Sequence, residues 1–132
     1  MGRSLILETS FLIDLEREHQ RGRPQNAVSF LEAHQEDRFY LSPITSGELA
    51  SGVSLSERKS WEAFLSPFFL LPITPDVSWH YGRTFRHLQE NGQMIGPNDL
   101  WIAATALAYR MPVVTKDAVH FRRVPHLEVE AY

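Results

Sequence analysis

Residues 96–117, which read GPNDLWIAATALAYRMPVVTKD, contain the pattern that is most informative about the fold. Pro97 suits the first turn of a helix, because its missing N–H would have no intrahelical partner there. The Ala-rich run after it repeats apolar residues at helical spacing, and residues 113–115 are typical of a short buried strand. A helix joined to a strand by a short link is half of a βαβ unit, so this stretch predicts an α/β fold.

The rest of the chain continues the alternation of strands and helices. Apolar runs predict further strands at residues 4–8, 39–41, 69–73 and, weakly, 127–129. Helix starts are predicted from capping residues, two of which precede a proline. The predicted caps are Thr9 or Ser10, Asn26, Ser42, Ser56 and Thr74. This order predicts a parallel sheet covered by helices on both faces.

The composition indicates one globular domain. The chain has 132 residues and is 43% hydrophobic, which is enough for a single core, so we expect residues 1–132 to form one domain. No apolar run approaches the roughly 20 residues of a membrane span, and we expect no membrane partner. With no cysteine and no signal-peptide pattern at residues 1–4, we expect a cytoplasmic protein.

The net charge leaves nucleic-acid binding open. It is −3, and a nucleic-acid binder is usually basic. If four acids are gathered in one metal site, however, the remaining surface is slightly positive. Composition alone therefore does not exclude RNA or DNA as a partner.

Four acids fall at predicted strand ends or helix starts. They are Glu8, Glu48, Asp99 and Asp117. In open parallel sheets, ligands bind beyond the carboxyl ends of the strands, so these acids are expected to face one rim. Clustered carboxylates raise one another's pKa unless a cation neutralises them. Oxygen ligands suit Mg²⁺ or Mn²⁺ rather than zinc, and the rim is therefore a candidate metal site.

Each acid also lies in a local sequence frame. The frames are ETSFLID at residues 8–14, TSGELASG at 45–52, NDLWIAATA at 98–106, and VVTKD at 113–117. Together, in this order, they resemble the PIN-domain ribonucleases, and specifically the VapC-type toxins of bacterial and archaeal toxin–antitoxin pairs. One position departs from the family pattern, because Glu8 replaces the usual Asp and adds about 1.5 Å of reach.

The resemblance implies a fold, an activity and partners. The fold would be a three-layer α/β domain with a central parallel sheet, and the activity would be metal-dependent hydrolysis of RNA by a toxin. Ser10 and Thr115 would orient the acids by hydrogen bonding. A cognate antitoxin and a homodimer are also implied. The direct or water-mediated ligands of Mg²⁺ or Mn²⁺ would be Glu8, Glu48, Asp99 and Asp117.

Some residues are candidates for contacts with RNA or with a partner protein. Arg83, Arg86 and Lys116 are candidate phosphate contacts, although solvated surface charge is the default interpretation of each of them. Residues 61–69, WEAFLSPFF, would supply either a partner surface or part of the core.

Other interpretations remain open at this point. Asp99 alone is explained as a complement to the helix dipole, Glu48 as a solvated helix residue, and Asp14 as a peripheral group. A PIN-like module that binds RNA or protein, with catalysis weakened by Glu8, is the main alternative function. A phospho-accepting receiver domain is a further α/β alternative, but no Asp ends the strand predicted at residues 69–73.

Overall fold

The structure is a computed structural model that describes residues 2–132. The predicted domain of residues 1–132 thus includes Met1, which lies outside the described residues. The strands are β1 Ser4–Leu7, β2 Arg38–Leu41, β3 Phe69–Leu70, β4 Val113–Val114 and β5 Val129–Glu130. They form one parallel sheet in the order β3-β2-β1-β4-β5. The predicted parallel sheet is confirmed.

Helices cover both faces of the sheet. Phe11 of the first helix packs on one face and Phe121 of the last packs on the other. The predicted three-layer α/β architecture is therefore confirmed. The helices are α1 Thr9–Arg21, α2 Asn26–Ala33, α3 Pro43–Ala50, α4 Arg58–Leu65, α5 Pro75–Glu90, α6 Pro97–Tyr109 and α7 Ala118–Phe121, with a 3₁₀ turn at Val53–Leu55.

The central strand β1 divides the core in two. Leu5 and Leu7 are fully buried against α1 to α3, whereas Ile6 between them is fully buried against α5 to α7. This alternation follows from the two-residue period of a strand. Ala103 and Ala106 are also buried, and such small side chains let α6 lie close to the sheet. The Ala-rich stretch therefore fixes the layer that carries Asp99.

Two of the predicted helix caps are confirmed. The hydroxyl of Ser42 accepts a hydrogen bond from the Thr45 N–H at 3.1 Å, and the hydroxyl of Thr74 accepts one from the Val77 N–H at 3.3 Å. Each cap precedes a proline in the first helical turn. Capping followed by proline was therefore a reliable sign of a helix start.

The other predicted caps are wrong. Thr9, Ser10 and Asn26 lie inside helices, and Glu8 caps α1 with its own carboxylate. Ser56 ends the 3₁₀ turn, and α4 starts two residues later. Long acidic side chains can reach the free N–H groups of a helix start, although short polar residues are preferred there.

Some strand limits also differ from the prediction. The third strand covers only two residues at the sheet edge and was predicted too long, whereas β5 begins two residues later than predicted. The short helix α7 was missed altogether. Among the described residues, no helix combines the length and the apolar character that crossing a bilayer requires.

Candidate active site

The fold brings the four predicted acids to one edge of the sheet. Glu8 directly follows β1, and Asp117 comes three residues after the end of β4. Glu48 lies in α3 and Asp99 in the first turn of α6. The negative charges of the other three acids all act on Asp99. Parallel strands end at the same edge, and for this reason acids far apart in sequence meet here.

Asp99 lies where the negative charge is concentrated. Its pKa is raised to about 6, first by burial and then by the charges of Glu8, Glu48 and Asp117. Within residues 2–132, no donor makes a hydrogen bond to its carboxylate. Its position in a first helical turn favours negative charge, but the repulsion and the burial outweigh that effect. The helix-dipole interpretation of Asp99 is therefore incomplete.

The longer side chain of Glu8 is held by three hydrogen bonds. Its Oε1 accepts from the hydroxyls of Thr115 at 2.6 Å and Ser10 at 2.7 Å, and its Oε2 accepts from the Ser10 N–H at 2.9 Å. Glu8 is 6% exposed and Thr115 is fully buried. Both residues predicted to orient the acids thus contact Glu8, and the extra methylene is accommodated by capping α1.

Glu48 is fixed by two residues that the sequence analysis did not select. Thr9 donates its hydroxyl to Glu48 Oε1 at 2.5 Å, and the Asn98 amide donates to Oε2 at 3.2 Å. These contacts leave the side chain only partly exposed, so Glu48 is not simply a solvated helix residue. Thr9 and Asn98 could have been found, because each stands directly next to a predicted acid in the sequence.

Asp117 is paired with His120, three residues further along. The Nδ1 atom of His120 contacts the Asp117 carboxylate, and the Asp117 N–H donates to the Thr115 hydroxyl at 2.9 Å. The hydrogen bond from His120 lowers the pKa of Asp117, which keeps this acid ionised. Thr115 therefore links Glu8 to the Asp117 backbone.

Asp14 and Lys116 form the border of the acidic site. Lys116 Nζ lies 3.2 Å from Asp14, which also accepts a hydrogen bond from the Tyr132 hydroxyl at 2.7 Å. The Lys116 N–H donates to the Ser10 hydroxyl at 3.1 Å. The peripheral position predicted for Asp14 agrees with these contacts, which tie the end of the chain to α1.

The two other predicted phosphate contacts lie on α5. Arg83 and Arg86 are both exposed. Arg83 lines a groove with His80, His87 and His126, and none of the four acids lines that groove. The structure therefore groups Lys116 with the acids and places the two arginines of α5 on a separate surface.

The donor chemistry of the acidic site suits a hard cation, although the site is not a closed cage. In the positions described for residues 2–132, no three His, Asp or Glu side chains converge closely enough to hold a metal ion. The oxygen donors nevertheless match Mg²⁺ or Mn²⁺, and Mg²⁺ usually keeps several water ligands. Asp99 has unneutralised charge in addition. The acids therefore fit a metal held partly through water.

A second concave surface lies between α1, α2 and α4, and we call it the apolar groove. It has a volume of about 680 Å³, and four of its lining residues belong to the segment at residues 61–69, namely Ala63, Phe64, Pro67 and Phe68. Trp61 of the same segment instead packs on the core and donates a hydrogen bond to the Ser46 carbonyl at 2.9 Å. The remaining apolar lining includes Leu15, Pro24, Val28, Leu31 and Phe39.

Comparison with known proteins agrees with this geometry. The PIN domain family matches residues 5–127. The chain is 32% identical to ribonuclease VapC of Rickettsia bellii over 133 aligned residues, which cover 95% of this chain and 93% of that protein. It is 30% identical to ribonuclease VapC19 of Mycobacterium tuberculosis, covering 93% and 96% of the two chains.

Solved structures show the same fold. The structure of VapBC2 from Rickettsia felis, bound to a DNA fragment from their promoter, has a TM-score of 0.85 with 27% identity over 98% of both chains. FitAcB from Neisseria gonorrhoeae has a TM-score of 0.72 with 27% identity over 95% of both chains. The fold and the site together define the class of protein, which is a three-layer α/β domain with four acids at one edge of its sheet. The chain belongs to the PIN-domain family, among the VapC ribonucleases.

Proposed function

We propose that this protein is a metal-dependent endoribonuclease and the toxin of a toxin–antitoxin pair. The observation that carries the proposal is the meeting of four carboxylates at one sheet edge, with unneutralised charge at Asp99. Family membership supports RNA as the substrate, since the similar proteins are named ribonucleases. The expected cytoplasmic location and homodimer stay predictions.

We assign the proposed metal to the four acids, as direct or water-mediated ligands. A bound Mg²⁺ or Mn²⁺ would supply an activated water and stabilise charge on the phosphate. The residues of this chain hold the carboxylates in place for that purpose. Ser10 and Thr115 fix Glu8, Thr9 and Asn98 fix Glu48, and His120 fixes Asp117.

We propose that the apolar groove binds the antitoxin. A surface lined by Leu, Val and Phe side chains is typical of a site that receives an apolar protein segment. The groove contains none of the four acids, so a partner can occupy it without replacing a metal ligand. Similarity to VapBC2, and the family resemblance to toxins held by antitoxins, support this assignment.

The first experiment measures cleavage of purified total RNA with Mg²⁺, with Mn²⁺ and with EDTA. We expect cleavage with either metal and none with EDTA. Asp99→Asn keeps the shape of the side chain and removes its charge, so it should reduce cleavage at least about 100-fold while the protein stays folded. A folded wild-type protein that binds RNA but never cleaves it would favour the binding-module alternative.

A further inference from the structure

A polar cleft next to the acidic site concentrates positive charge. It has a volume of about 330 Å³ and is lined by four basic residues, namely Arg17, Arg21, Arg23 and Lys116. A second concavity of about 480 Å³ lies beside it and is lined by Glu48 together with Arg17 and Arg21. These two arginines therefore stand on a ridge of α1 between the two concavities, of which one extends to Lys116 and the other to Glu48. We call the four residues the basic cleft.

The local sequence accounts for the position of these residues. Arg17 and Arg21 are four positions apart in α1, so they share one face of the helix about 6 Å apart along its axis. Gly22 ends α1 in the left-handed conformation, with φ of 61°. The Arg23 N–H then donates to the Glu18 carbonyl at 3.1 Å, which turns the chain back toward the cleft. Three guanidinium groups are thus brought to one surface.

The acids in the cleft do not neutralise these arginines. The carboxylate of Glu18 accepts the N–H groups of Gln25, Ala27 and Val28 at 2.7–3.0 Å, so it is committed to the start of α2. Asp14 is engaged by Lys116 and Tyr132. Within residues 2–132, the side chains of Arg17, Arg21 and Arg23 have no ion pair. Their positive charges are therefore available to bind an anion from solution.

An acidic active site needs such a surface if its substrate is RNA. The four carboxylates repel the phosphate chain, and a metal ion bound among them neutralises only part of their charge. Lys116 connects the cleft to the acids, because its N–H donates to the Ser10 hydroxyl that contacts Glu8. Arg17 and Arg21 lie about 13 and 20 Å beyond Glu8 along the axis of α1, so they would meet phosphates of the strand that leads away from the reacting bond.

We propose that the basic cleft binds the phosphate backbone of the RNA strand next to the bond that is cleaved. This inference rests on the proposed ribonuclease function. Arginine contacts to phosphates fix the position of a strand without reading its base sequence. The cleft therefore supplies affinity and position, and loss of its charge should raise KM with little change in kcat.

The test removes two charges at a time and keeps a polar side chain at each position. Arg17→Gln with Arg21→Gln is compared with a control of equal charge change, Arg38→Gln with Lys59→Gln. Arg38 begins β2 at the opposite sheet edge, and Lys59 is an exposed residue of α4. Each pair of substitutions is introduced into the wild-type chain for kinetics. It is also introduced into the Asp99→Asn chain, in which equilibrium binding of a fluorescent single-stranded RNA is measured.

We expect the Arg17 and Arg21 double variant to raise KM and the Kd for RNA about 10-fold. The slope of log Kd against log salt should fall by about 1.4, because two contacts to a single strand are lost. The control pair should change each quantity less than about twofold. Replacing both arginines by Lys should restore most of the affinity, because charge rather than shape is lost. All variants should keep the wild-type melting temperature, since these side chains are exposed.

Several results would overturn the proposal. If cleavage and RNA binding by the double variant match those of the control pair, the cleft does not bind RNA, although the ribonuclease function stands. If Arg83→Gln with Arg86→Gln raises KM and the Kd for RNA more than the Arg17 and Arg21 double variant does, the RNA strand lies along α5 instead. If wild type neither binds nor cleaves RNA, the proposed function itself fails, and the cleft proposal fails with it.

Discussion

The acidic site and the apolar groove lie on two sides of the same helix, α1, and differ in how they are built. The acidic site begins at Glu8, which caps α1, and its carboxylates are held by hydroxyl, amide and imidazole groups. The groove is lined further along the helix by Leu15, His19 and Gly22, and its lining is mostly apolar. The side chains of the acidic site are held in place by hydrogen bonds, whereas the apolar groove is defined by its shape.

Neither region stabilises the isolated chain. Burial and like charges raise the pKa of Asp99, so its ionisation opposes folding at neutral pH. Apolar surface in the groove is in contact with water in the folded and the unfolded chain alike, so it lacks the stabilisation of about 25 cal/mol per Å² that covering it would supply. Each region therefore suits a ligand of complementary chemistry, a cation for the first and an apolar protein segment for the second.

Substitution of Glu8 tests the acidic site and should have the largest effect. Glu8→Gln keeps the length and can still cap α1, but it removes a ligand charge, so cleavage should fall about 100-fold or more and require more Mg²⁺. Glu8→Asp restores the residue usual in the family and should preserve or increase cleavage. The measurement is a titration of Mg²⁺ against cleavage rate.

Glu8→Ala separates the structural role of Glu8 from its proposed catalytic role. It should lose most of the cleavage and also about 1 kcal/mol of stability, because the helix cap is removed. Near wild-type cleavage by both Glu8→Ala and Glu8→Gln would mean that Glu8 serves only the helix.

Substitution in the apolar groove should weaken antitoxin binding and leave RNA cleavage unchanged. Ala63 is exposed on α4 and lines the groove, so Ala63→Glu places a charge on an apolar contact surface without disturbing the core. We expect antitoxin affinity to fall about 100-fold with unchanged RNA cleavage. In cells, the wild-type chain should arrest growth and the adjacent small gene should relieve the arrest, whereas Ala63→Glu should arrest growth without relief.

Two variants serve as controls for the groove. Ser60→Glu adds the same charge to α4, and Ser60 does not line the groove. Growth arrest by Ser60→Glu should therefore be relieved by the antitoxin, as it is for wild type. Asp99→Asn should bind the antitoxin normally and should not arrest growth. Loss of antitoxin binding by Asp99→Asn, or normal binding by Ala63→Glu, would remove the distinction between the two regions.

Thr115→Val should have an intermediate effect within the acidic site. The change is nearly equal in volume, but it removes the 2.6 Å hydrogen bond to Glu8 and the acceptor for the Asp117 N–H. Loss of a group that orients a ligand typically costs about 10-fold in metal affinity or activity. We expect this loss in the Mg²⁺ titration, with recovery in Thr115→Ser, which keeps the hydroxyl. Equal activity of the Val and Ser variants would contradict an orienting role.

The pH dependence of stability should show the smallest effect. The pKa of Asp99 is 3.8 unperturbed and about 6 in the folded chain. Its contribution to stability is therefore fully present below pH 3.8 and is lost as the pH rises through 6. Without metal, unfolding by urea should be easier at pH 7.5 than at pH 5 by at most about 1 kcal/mol, after allowance for partial solvent exposure.

Asp99→Asn is the control for this pH dependence. The variant has no group to titrate at this position, so the difference between pH 5 and pH 7.5 should shrink by the same amount. Mg²⁺ should stabilise wild type more than the variant at pH 7.5. If stability depends on pH in the same way in wild type and in Asp99→Asn, the pKa of this carboxylate is not raised by its surroundings.

The amino-acid sequence alone was enough to predict the fold class and to select four acids that the fold brings to one sheet edge. Residues 96–117 predicted the helix and strand that carry Asp99 and Asp117, because apolar periodicity and helix-start chemistry are local properties. Four sequence frames in order then indicated the family. The predicted caps Ser42 and Thr74 were right for the same reason, since each contact spans only three residues.

The groups that hold those acids and the positions of the free charges depend on how the layers of the fold pack together. The Thr115 hydroxyl reaches Glu8 across 107 residues, and Thr9 reaches Glu48 across 39. Arg17, Arg21, Arg23 and Lys116 meet because α1 packs beside the end of β4. Hydrogen bonds and charges act over a few ångströms of space, whatever the separation along the chain, so these partners depend on the packing of the layers.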